Sequence, residues 1–401
     1  MAAIAGLRGT GDWGTDERPK NFRETILWLQ PNGTSPINAL LAKTGKQSLD
    51  DPEFSWWEEE LGLIQIVLDD ATDMSNSDTA VVCDSGALEL VVGDLLMVQR
   101  LGTEFDAAYA AEIVEVGAVT DDTNFTIVRA AAGSTAAIIE DNSTFVRVGS
   151  AFAEGTDAPD SASRNPDKKV NFAEIFKTTY DITRTAKQTR ARTGDVVAND
   201  KKRKMFTHST GLEMSWLFGK SDESVGANGK PLRTTGGLTE FLAAASRIIV
   251  RGGTYANINA LYDDLADVFD YTGEGSTGGD ERMLLCGNGA MNSINKLAAA
   301  AGTVNFGEIV KVYGMSLTRL VTSQGSFFIK SHPLLSRNTY HTNSVFVVDF
   351  PGLKYRYVQD TRSKDNVQGN GEDSIKGEWL TEAGLEVQHA KTMKMIANIT
   401  I

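Results

Sequence analysis

The sequence predicts an α+β chain, and three features of it carry that prediction. Short runs alternating apolar and polar residues cluster between about 76 and 153. A long helical pattern follows near 199–218, and from about 252 two further helix patterns alternate with apolar strand patterns. The 401 residues are 41% hydrophobic and 23% charged, the composition of a chain that folds around a core. At roughly 150 residues per domain, this length suggests two or three folded units. No run of 18 apolar residues occurs, and no apolar segment with a cleavage site follows Arg8.

Residues 1–35 read as an arm. Its first twenty residues have no period, Trp13 and Trp28 have nowhere local to be buried, and Pro31, Asn32 and Gly33 end it. Ile37, Leu40 and Leu41 mark a short helix. In Phe54-Ser55-Trp56-Trp57 the adjacent tryptophans point to opposite faces of a strand, so one of them packs inward. The runs Glu112–Val116, Asn124–Arg129 and Ser143–Val148 predict a small antiparallel β unit. Thr120–Thr123 is a turn within it, and the Asp/Ser/Pro-rich stretch Glu154–Pro166 is its exit.

The long helix is expected to begin at Asn199 or Asp200 as N-cap and to stop at Gly219 as C′. Met205, Phe206, Leu212, Trp216 and Leu217 form its apolar side. Its basic first turn would oppose the helix dipole, so a negative partner is expected nearby. Ile258, Leu261 and Leu265 mark a second helix, Met283–Cys286 a buried strand, and Met291, Ile294 and Leu297 a third helix ending at Gly302. Strands are expected over Ser344–Phe350, Leu353–Tyr357, Trp379–Val387 and Thr392–Ile401.

Net charge is −14, from 39 basic and 53 acidic residues, which argues against nucleic-acid binding through bulk charge. One stretch runs against it. Residues 164–204 hold 12 basic residues and 5 acidic ones, a local +7 that leaves −21 for the remainder. Its aromatics, Phe172, Phe176 and Tyr180, precede most of the charge rather than interleave with it, so pairing with acidic surfaces of other copies is expected as much as nucleic-acid contact. Cys83 and Cys286, the two cysteines, are too far apart in sequence for a disulfide scaffold and read as buried thiols.

The search for chemistry is nearly empty, and no cofactor or metal is expected. Gly9, Gly11 and Gly14 fit G-x-G-x-x-G but lack the strand before and helix after that would make a phosphate cradle. Gly273–Gly279 has no Gly-Lys-Ser/Thr, which reads as a loop. His208, His332, His341 and His389 have no metal-ligand spacing. Asp263, Asp264 and Asp267 share a helix pattern and are the one candidate for acid–base work, although such a face is ordinarily solvated. Asp69, Asp70 and Asp73 lack the glycine of a calcium loop.

In the order of its parts the chain resembles the major capsid proteins of tailed bacteriophages of the Hong Kong 97 type. It is most similar to the subgroup with a β insertion in the extended loop. The residues that carry this are Val91-Val92-Gly93-Asp94 through Val128-Arg129-Ala130, and Gly384-Leu385-Glu386-Val387-Gln388-His389-Ala390-Lys391. The resemblance implies an N-terminal arm (1–35), a first part of the peripheral domain (36–66), and an extended loop (67–190) whose β-barrel-like insertion covers about 76–153. A spine helix with more of the peripheral domain (191–251), an axial α/β domain (252–350) and closing peripheral strands (351–401) would follow.

It further implies an icosahedral shell of pentamers and hexamers in the virion, assembled in the bacterial host cytoplasm. Portal and scaffold proteins, packaged DNA held non-specifically at the inner surface and a decoration protein are the implied partners; no membrane is. No Glu/Lys-rich scaffolding segment and no matching Lys–Asn crosslink pair is visible, so no crosslink is expected. Trp13, Trp28, Arg184, Arg190, Arg192, Lys201 and Arg203 are the expected intersubunit contacts. The competing readings are an encapsulin-like compartment shell, a carbohydrate-active enzyme with a β accessory domain, and an adhesive surface protein.

Overall fold

The computed structural model describes residues 28, 36–44, 46–70, 72–99, 112–163, 165–189, 191, 193–273, 281–302, 306–312 and 315–400. They fall into two compact units, Trp57–Lys168 and the flanking Met1–Trp56 with Lys169–Ile401. Helix α1 (Pro36–Thr44) and strands β1 (Lys46–Ser48) and β2 (Glu53–Glu58) come first. Strands β3 (Gln65–Val67), β4 (Ala80–Val82), β5 (Asp94–Gln99), β6 (Ile113–Val119), β7 (Asn124–Val128) and β8 (Thr144–Ser150) form the inserted unit. Next are β9 (Asp167–Phe172), β10 (Glu174–Thr183), α2 (Arg184–Gln188), α3 (Val196–Phe218) and the hairpin β11 (Asp222–Val225) and β12 (Pro231–Thr234).

Helix α4 (Leu238–Ala244), β13 (Ile248–Val250), α5 (Ile258–Ala266), β14 (Glu281–Cys286) and α6 (Asn288–Ala301) continue the path. Then come β15 (Phe306–Val312), β16 (Met315–Val321), β17 (Ser326–Ser331), α7 (Pro333–Arg337) and β18 (Val345–Val348). The chain closes with β19 (Leu353–Asp365), β20 (Ser374–Val387) and β21 (Lys394–Ala397).

The unit Trp57–Lys168 begins before residue 67 and ends before residue 190. Its strands run in the order β3-β8-β5-β6-β7-β4, each pair antiparallel. A bridge from Leu68 to Cys83 joins the two outer strands, with Asp69 N donating to Val82 O at 3.0 Å and Asp84 N to Val67 O at 3.1 Å. The sheet is therefore a closed six-stranded barrel, which leaves no row of unpaired backbone groups between those strands. Every second residue points in: Leu96 and Val98, Val114 and Val116, Phe125 and Ile127 are buried together. Phe125 and Phe145 meet edge to face, 6.0 Å between centroids.

In the larger unit, a seven-stranded sheet runs β13-β21-β18-β14-β17-β16-β15. Its middle strands are apolar at successive positions because both faces are covered. Met283, Leu285, Phe346 and Val348 join the core with Trp216, whereas Leu284, Cys286, Val345 and Val347 join the core under α5 and α6. Gly302 ends α6 in the left-handed conformation (φ 65°), as expected. A second sheet, β1-β19-β20-β10, gathers strands from the beginning, middle and end of the chain. Strand β10 lies within the stretch expected as extended loop, yet it pairs with β20 in this sheet. Trp56 is buried and Trp57 is 62% exposed, the split expected of adjacent tryptophans.

Helix α3 departs from expectation at both ends. Its N-cap is Asp195, whose carboxylate accepts from Val197 N at 2.8 Å and Ala198 N at 3.3 Å, so the helix starts before the expected cap at Asn199 or Asp200. Lys201–Lys204 therefore lie beyond the first turn, and the helix dipole meets the Asp195 carboxylate instead. Gly219 caps the C-terminus with extended rather than left-handed backbone (φ −60°, ψ 155°). Glycine is needed because an added Cβ would lie 2.6 Å from Ser215 O. Met205, expected on the apolar side, is exposed; the buried face is His208, Leu212, Glu213, Trp216 and Leu217.

Gly211 sits in the middle of α3, and an added Cβ there would meet nothing within 4 Å. Nothing steric requires glycine, so Gly211→Ala is expected to stabilise the unit by about 0.5–1 kcal/mol through helix propensity. A rise in the denaturant midpoint at unchanged slope checks it.

Candidate assembly surfaces

Helix α3 lies on the β10–β20 side of the four-stranded sheet, and the two halves of that contact differ in kind. Its C-terminal half is dry. Trp216 meets Phe176 of β10 and Tyr355 of β19 edge to face, each 6.0 Å between centroids. Its N-terminal half is held by polar groups. His208 bonds Thr178 Oγ1 through Nδ1 at 3.1 Å and Thr381 Oγ1 through Nε2 at 2.8 Å, and Thr381 in turn pairs with Thr361 at 2.8 Å. Burial holds the His208 imidazole below its usual pKa, which favours the neutral ring.

Two turns earlier, Lys201 Nζ bonds both carboxylate oxygens of Asp365 at 2.9 and 3.0 Å, and Tyr180 donates its hydroxyl to the same group. Burial and that carboxylate push Tyr180 up to about 12, while the bonds from Tyr180 and Lys201 hold Asp365 below the usual carboxylate range. Trp379 Nε1 donates to Lys201 O at 3.3 Å, and the ammonium of Lys201 lies 5.7 Å from the same ring.

Of the seven expected contact residues, four are described. Arg184 forms a two-pronged pair with Asp373 (2.7 and 3.2 Å) on the surface, Lys201 pairs with Asp365, and Arg203 pairs with Asp200 at 3.1 Å. Trp28 is half-buried against α3 of its own chain, with Lys202 Nζ 5.2 Å and Arg203 Cζ 5.7 Å from its ring centre. Trp13, Arg190 and Arg192 lie outside the described residues, as do Gly9, Gly11 and Gly14. The three described cations thus have partners within the chain. Those partners, Asp365 and Asp373, are more than 160 residues away from Lys201 and Arg184, and no local spacing announces them.

Two of the three acids that offered an enzymatic reading are engaged elsewhere. Asp264 receives Arg251 Nε at 2.7 Å and the Tyr255 hydroxyl at 2.5 Å. Asp267 is not on the helix face but caps α5, where Arg247 (2.7 Å) and Lys394 (2.8 Å) converge on it. Asp263 alone is exposed. The pairs of Asp264 and Asp267 fasten α5 to the ends of β13 and to β21. Both thiols are buried, and burial, with Asp122 and Asp84 nearby, pushes Cys83 up to about 11. Among the described residues, no group of three His, Cys, Asp or Glu side chains could hold a metal ion, and no helix is long and apolar enough to cross a membrane.

What the sequence did not reveal is the polar hub at Glu213. Its buried carboxylate accepts from Ile37 N (2.8 Å), Asn38 N (2.9 Å) and His332 Nε2 (2.9 Å), which ties α1, α3 and the start of α7 together. The hairpin β11–β12 is the opposite case. Val225 is 79% and Leu232 56% exposed, yet its base is fixed by Ser221 N and Oγ donating to Glu240 (2.7 and 2.9 Å) and by Thr234 Oγ1 donating to Lys220 O (2.7 Å).

The chain is similar to known capsid proteins along nearly its whole length. It is 27% identical over 382 residues to the major capsid protein of Pseudomonas phage PaMx41, covering 92% of this chain and 86% of the relative. A solved structure from Mycobacterium phage Bobi superposes with a TM-score of 0.46 at 8% identity over 95% of each chain. The holo-SrpI encapsulin complex from Synechococcus elongatus PCC 7942 gives 0.41 at 9% identity, over 59% of this chain and 77% of that one. The model of the SU10 major capsid protein family matches residues 6–400. With that match the chain belongs to the SU10 major capsid protein family: it is a phage major capsid protein, a structural protein of the virion.

Proposed function

We propose that copies of this chain close, as pentamers and hexamers, into an icosahedral shell around the double-stranded DNA of a tailed phage, and that each copy has the Hong Kong 97-like fold. In this reading α3 is the spine helix, the barrel is the insertion in the extended loop, and the seven-stranded sheet with α5 and α6 is the axial domain. The four-stranded sheet belongs to the peripheral domain. The observation that carries the reading is that sheet: β1, β10, β19 and β20 unite distant parts of the chain under one 23-residue helix, with the barrel spliced in between. Portal and scaffold proteins, a decoration protein and packaged DNA would be its partners, in the host cytoplasm during assembly.

The arm would lie over a neighbour, with contacts that are weak singly and strong together. Electron microscopy of the purified chain tests the shell: closed particles support it, and discrete oligomers or monomers overturn it. Trp28→Ala is expected to raise the protein concentration needed for particles by about tenfold, since an aromatic anchor is worth on the order of 1–2 kcal/mol. The unassembled chain should lose less stability, about 0.5–1 kcal/mol, for the contacts of Trp28 with Lys202 and Arg203. Equal loss in both measurements would place Trp28 in the fold rather than at an interface.

A further inference from the structure

Asparagine is followed by glycine four times in the chain, at Asn32, Asn228, Asn288 and Asn370. Such a step can rearrange with no reagent but water. The backbone nitrogen of the glycine attacks Cγ of the asparagine, a C–N bond forms, and the side-chain nitrogen leaves as ammonia. Water then opens the cyclic imide at either carbonyl, giving aspartate or isoaspartate. The balance is one amide and one water in, one carboxylic acid and one ammonia out, with no change of oxidation state. The ring closes only when the asparagine ψ turns until the next nitrogen faces Cγ. A following glycine, with no Cβ, resists that rotation least. The fold decides which of these steps can make it.

Asn32 lies outside the described residues, and the other three asparagines are all exposed, so access to water does not separate them. Asn288 opens α6, and its glycine is wedged: a Cβ added at Gly289 would collide with Asn343 Oδ1 and lie 3.1 Å from Thr342 O. Ala290 N, one residue on, donates to Thr342 O at 3.0 Å, so the first turn of the helix must unwind before the ring can close. Asn228 lies in the turn of the β11–β12 hairpin. There the attacking nitrogen is engaged, Gly229 N donating to Gly226 O at 2.9 Å, and Asn228 Oδ1 accepts from Lys230 N at 3.1 Å. Both bonds must break, but a two-stranded hairpin with its apolar residues exposed opens at little cost. Asn370 lies in the turn between β19 and β20. Gly371 has a left-handed φ of 96°, and a Cβ added there would meet nothing within 4 Å. The bonds that close this turn, Glu372 N to Gly369 O and Gly369 N to Glu372 Oε2, both 3.2 Å, bypass the Gly371 nitrogen.

We propose that Asn370 is a site of spontaneous deamidation, through a cyclic imide closed by Gly371 N, and that the three described steps react in the order Asn370, Asn228, Asn288. The product sets a new carboxylate beside Glu372 and Asp373, within a Debye length of about 8 Å at physiological salt, where like charges repel. The isoaspartyl form also lengthens the main chain of the turn by one carbon. That change falls next to Asp373, whose carbonyl accepts from Arg184 N at 3.3 Å and whose carboxylate pairs with the Arg184 side chain. Deamidation therefore records the age of a subunit at the point where the β19–β20 turn is tied to α2.

The test uses the unassembled full chain, so its outcome does not depend on the shell reading. The protein is held at mildly alkaline pH, sampled over weeks, cut with trypsin and read by mass spectrometry, with the first sample correcting for conversion during digestion. Asn228, Asn288 and Asn370 fall on separate tryptic peptides, and fragment ions tell Asn370 from Asn366 on the same peptide. Asn370 is expected to convert about tenfold or more faster than Asn288, with Asn228 between them, because a helix must open before the ring closes at Asn288. In denaturant the three rates should converge, since only the dipeptide then remains, and convergence assigns the order to the fold. An Asn370 that keeps its amide as long as Asn288 overturns the proposal. So does Asn228 reacting first, or the same order and spread of rates in denaturant.

Discussion

Arg129→Ala is expected to unfold the barrel under conditions in which the larger unit keeps its structure. The guanidinium is almost wholly buried and makes five hydrogen bonds. Nε and Nη2 each donate to Glu112 at 2.8 Å, Nη1 reaches Ser75 O (2.6 Å) and Asp78 O (3.1 Å), and Nη2 also reaches Ala137 O (2.5 Å). Glu112 in turn accepts from Ala130 N (3.2 Å) and Ala137 N (3.1 Å). One pair thus joins the beginning of β6, the end of β7 and the loops before β4 and β8. Truncating Arg129 leaves a buried carboxylate facing carbonyl oxygens, a loss of about 3–5 kcal/mol. Hydrogen exchange should show the amides of β6 and β7 opening while those of β14 stay protected. Arg129→Lys supplies one charge without the planar fork and should fall between the two. Unchanged exchange in β6 and β7 of the alanine variant would contradict this account.

The same pair gives the barrel an acid limit. Burial alone pushes the Glu112 carboxyl up, but the bonds from Arg129, Ala137 N and Ala130 N outweigh it and hold the group below its ordinary range. A carboxyl depressed in the folded state stabilises above the unfolded-state value, about 4.3, and loses that contribution as pH falls through the lower folded value. Glu112→Gln should therefore be less stable than the unaltered barrel at neutral pH, and the gap should narrow as the solution is acidified below pH 4. Unfolding curves at several pH values check the sign.

The elements legible in the sequence were those whose buried residues are apolar and evenly spaced. Asn124–Val128 alternates because one face of the barrel wall is wet. Ile258, Leu261 and Leu265 recur at helical spacing because only one side of α5 meets the sheet. The failures came where polar residues are buried. On β10 the inward positions are Phe176, Thr178, Tyr180 and Ile182, but Thr178 is there to meet His208, and apolar Ile175 points out. On α3 the buried face includes His208 and Glu213, while apolar Met205 is exposed, so the periodicity misleads. Asp195 is the N-cap although Asn199 and Asp200, which also suit a cap, lie closer to the apolar run. The basic stretch is visible as composition, but Asp365 and Asp373, the partners of Lys201 and Arg184, are not, because they flank the turn between β19 and β20 and come from the far end of the chain.

Glu213→Ala should be the most damaging single change in the larger unit. The carboxylate lies at the N-terminus of α1, where the first amides of a helix have no partner of their own, and it satisfies two of them, Ile37 N and Asn38 N. It is also the acceptor for His332 Nε2 at the start of α7. Around it Asn38 bridges outward, its Nδ2 donating to Ser209 O (3.1 Å) and its Oδ1 accepting from Trp216 Nε1 (2.5 Å). Alanine would leave three donors without an acceptor, among them the buried Ile37 N and His332 Nε2, a loss of about 3 kcal/mol or more. Asn38→Ala removes two hydrogen bonds but leaves the carboxylate in place, and should lose about 1–2 kcal/mol. Glutamine at 213 keeps a single carbonyl acceptor and turns an amide toward the donors, so its midpoint should lie between those of the alanine variant and the unaltered chain. The site of the damage is as diagnostic as its size: residues 36–44 should exchange their amide protons faster in Glu213→Ala at denaturant concentrations where β14 and β18 remain closed. If α1 stays as protected as before, the hub does not hold it, and the entry of the chain into this unit is fixed by the apolar contacts of Ile37, Leu40 and Leu41 alone.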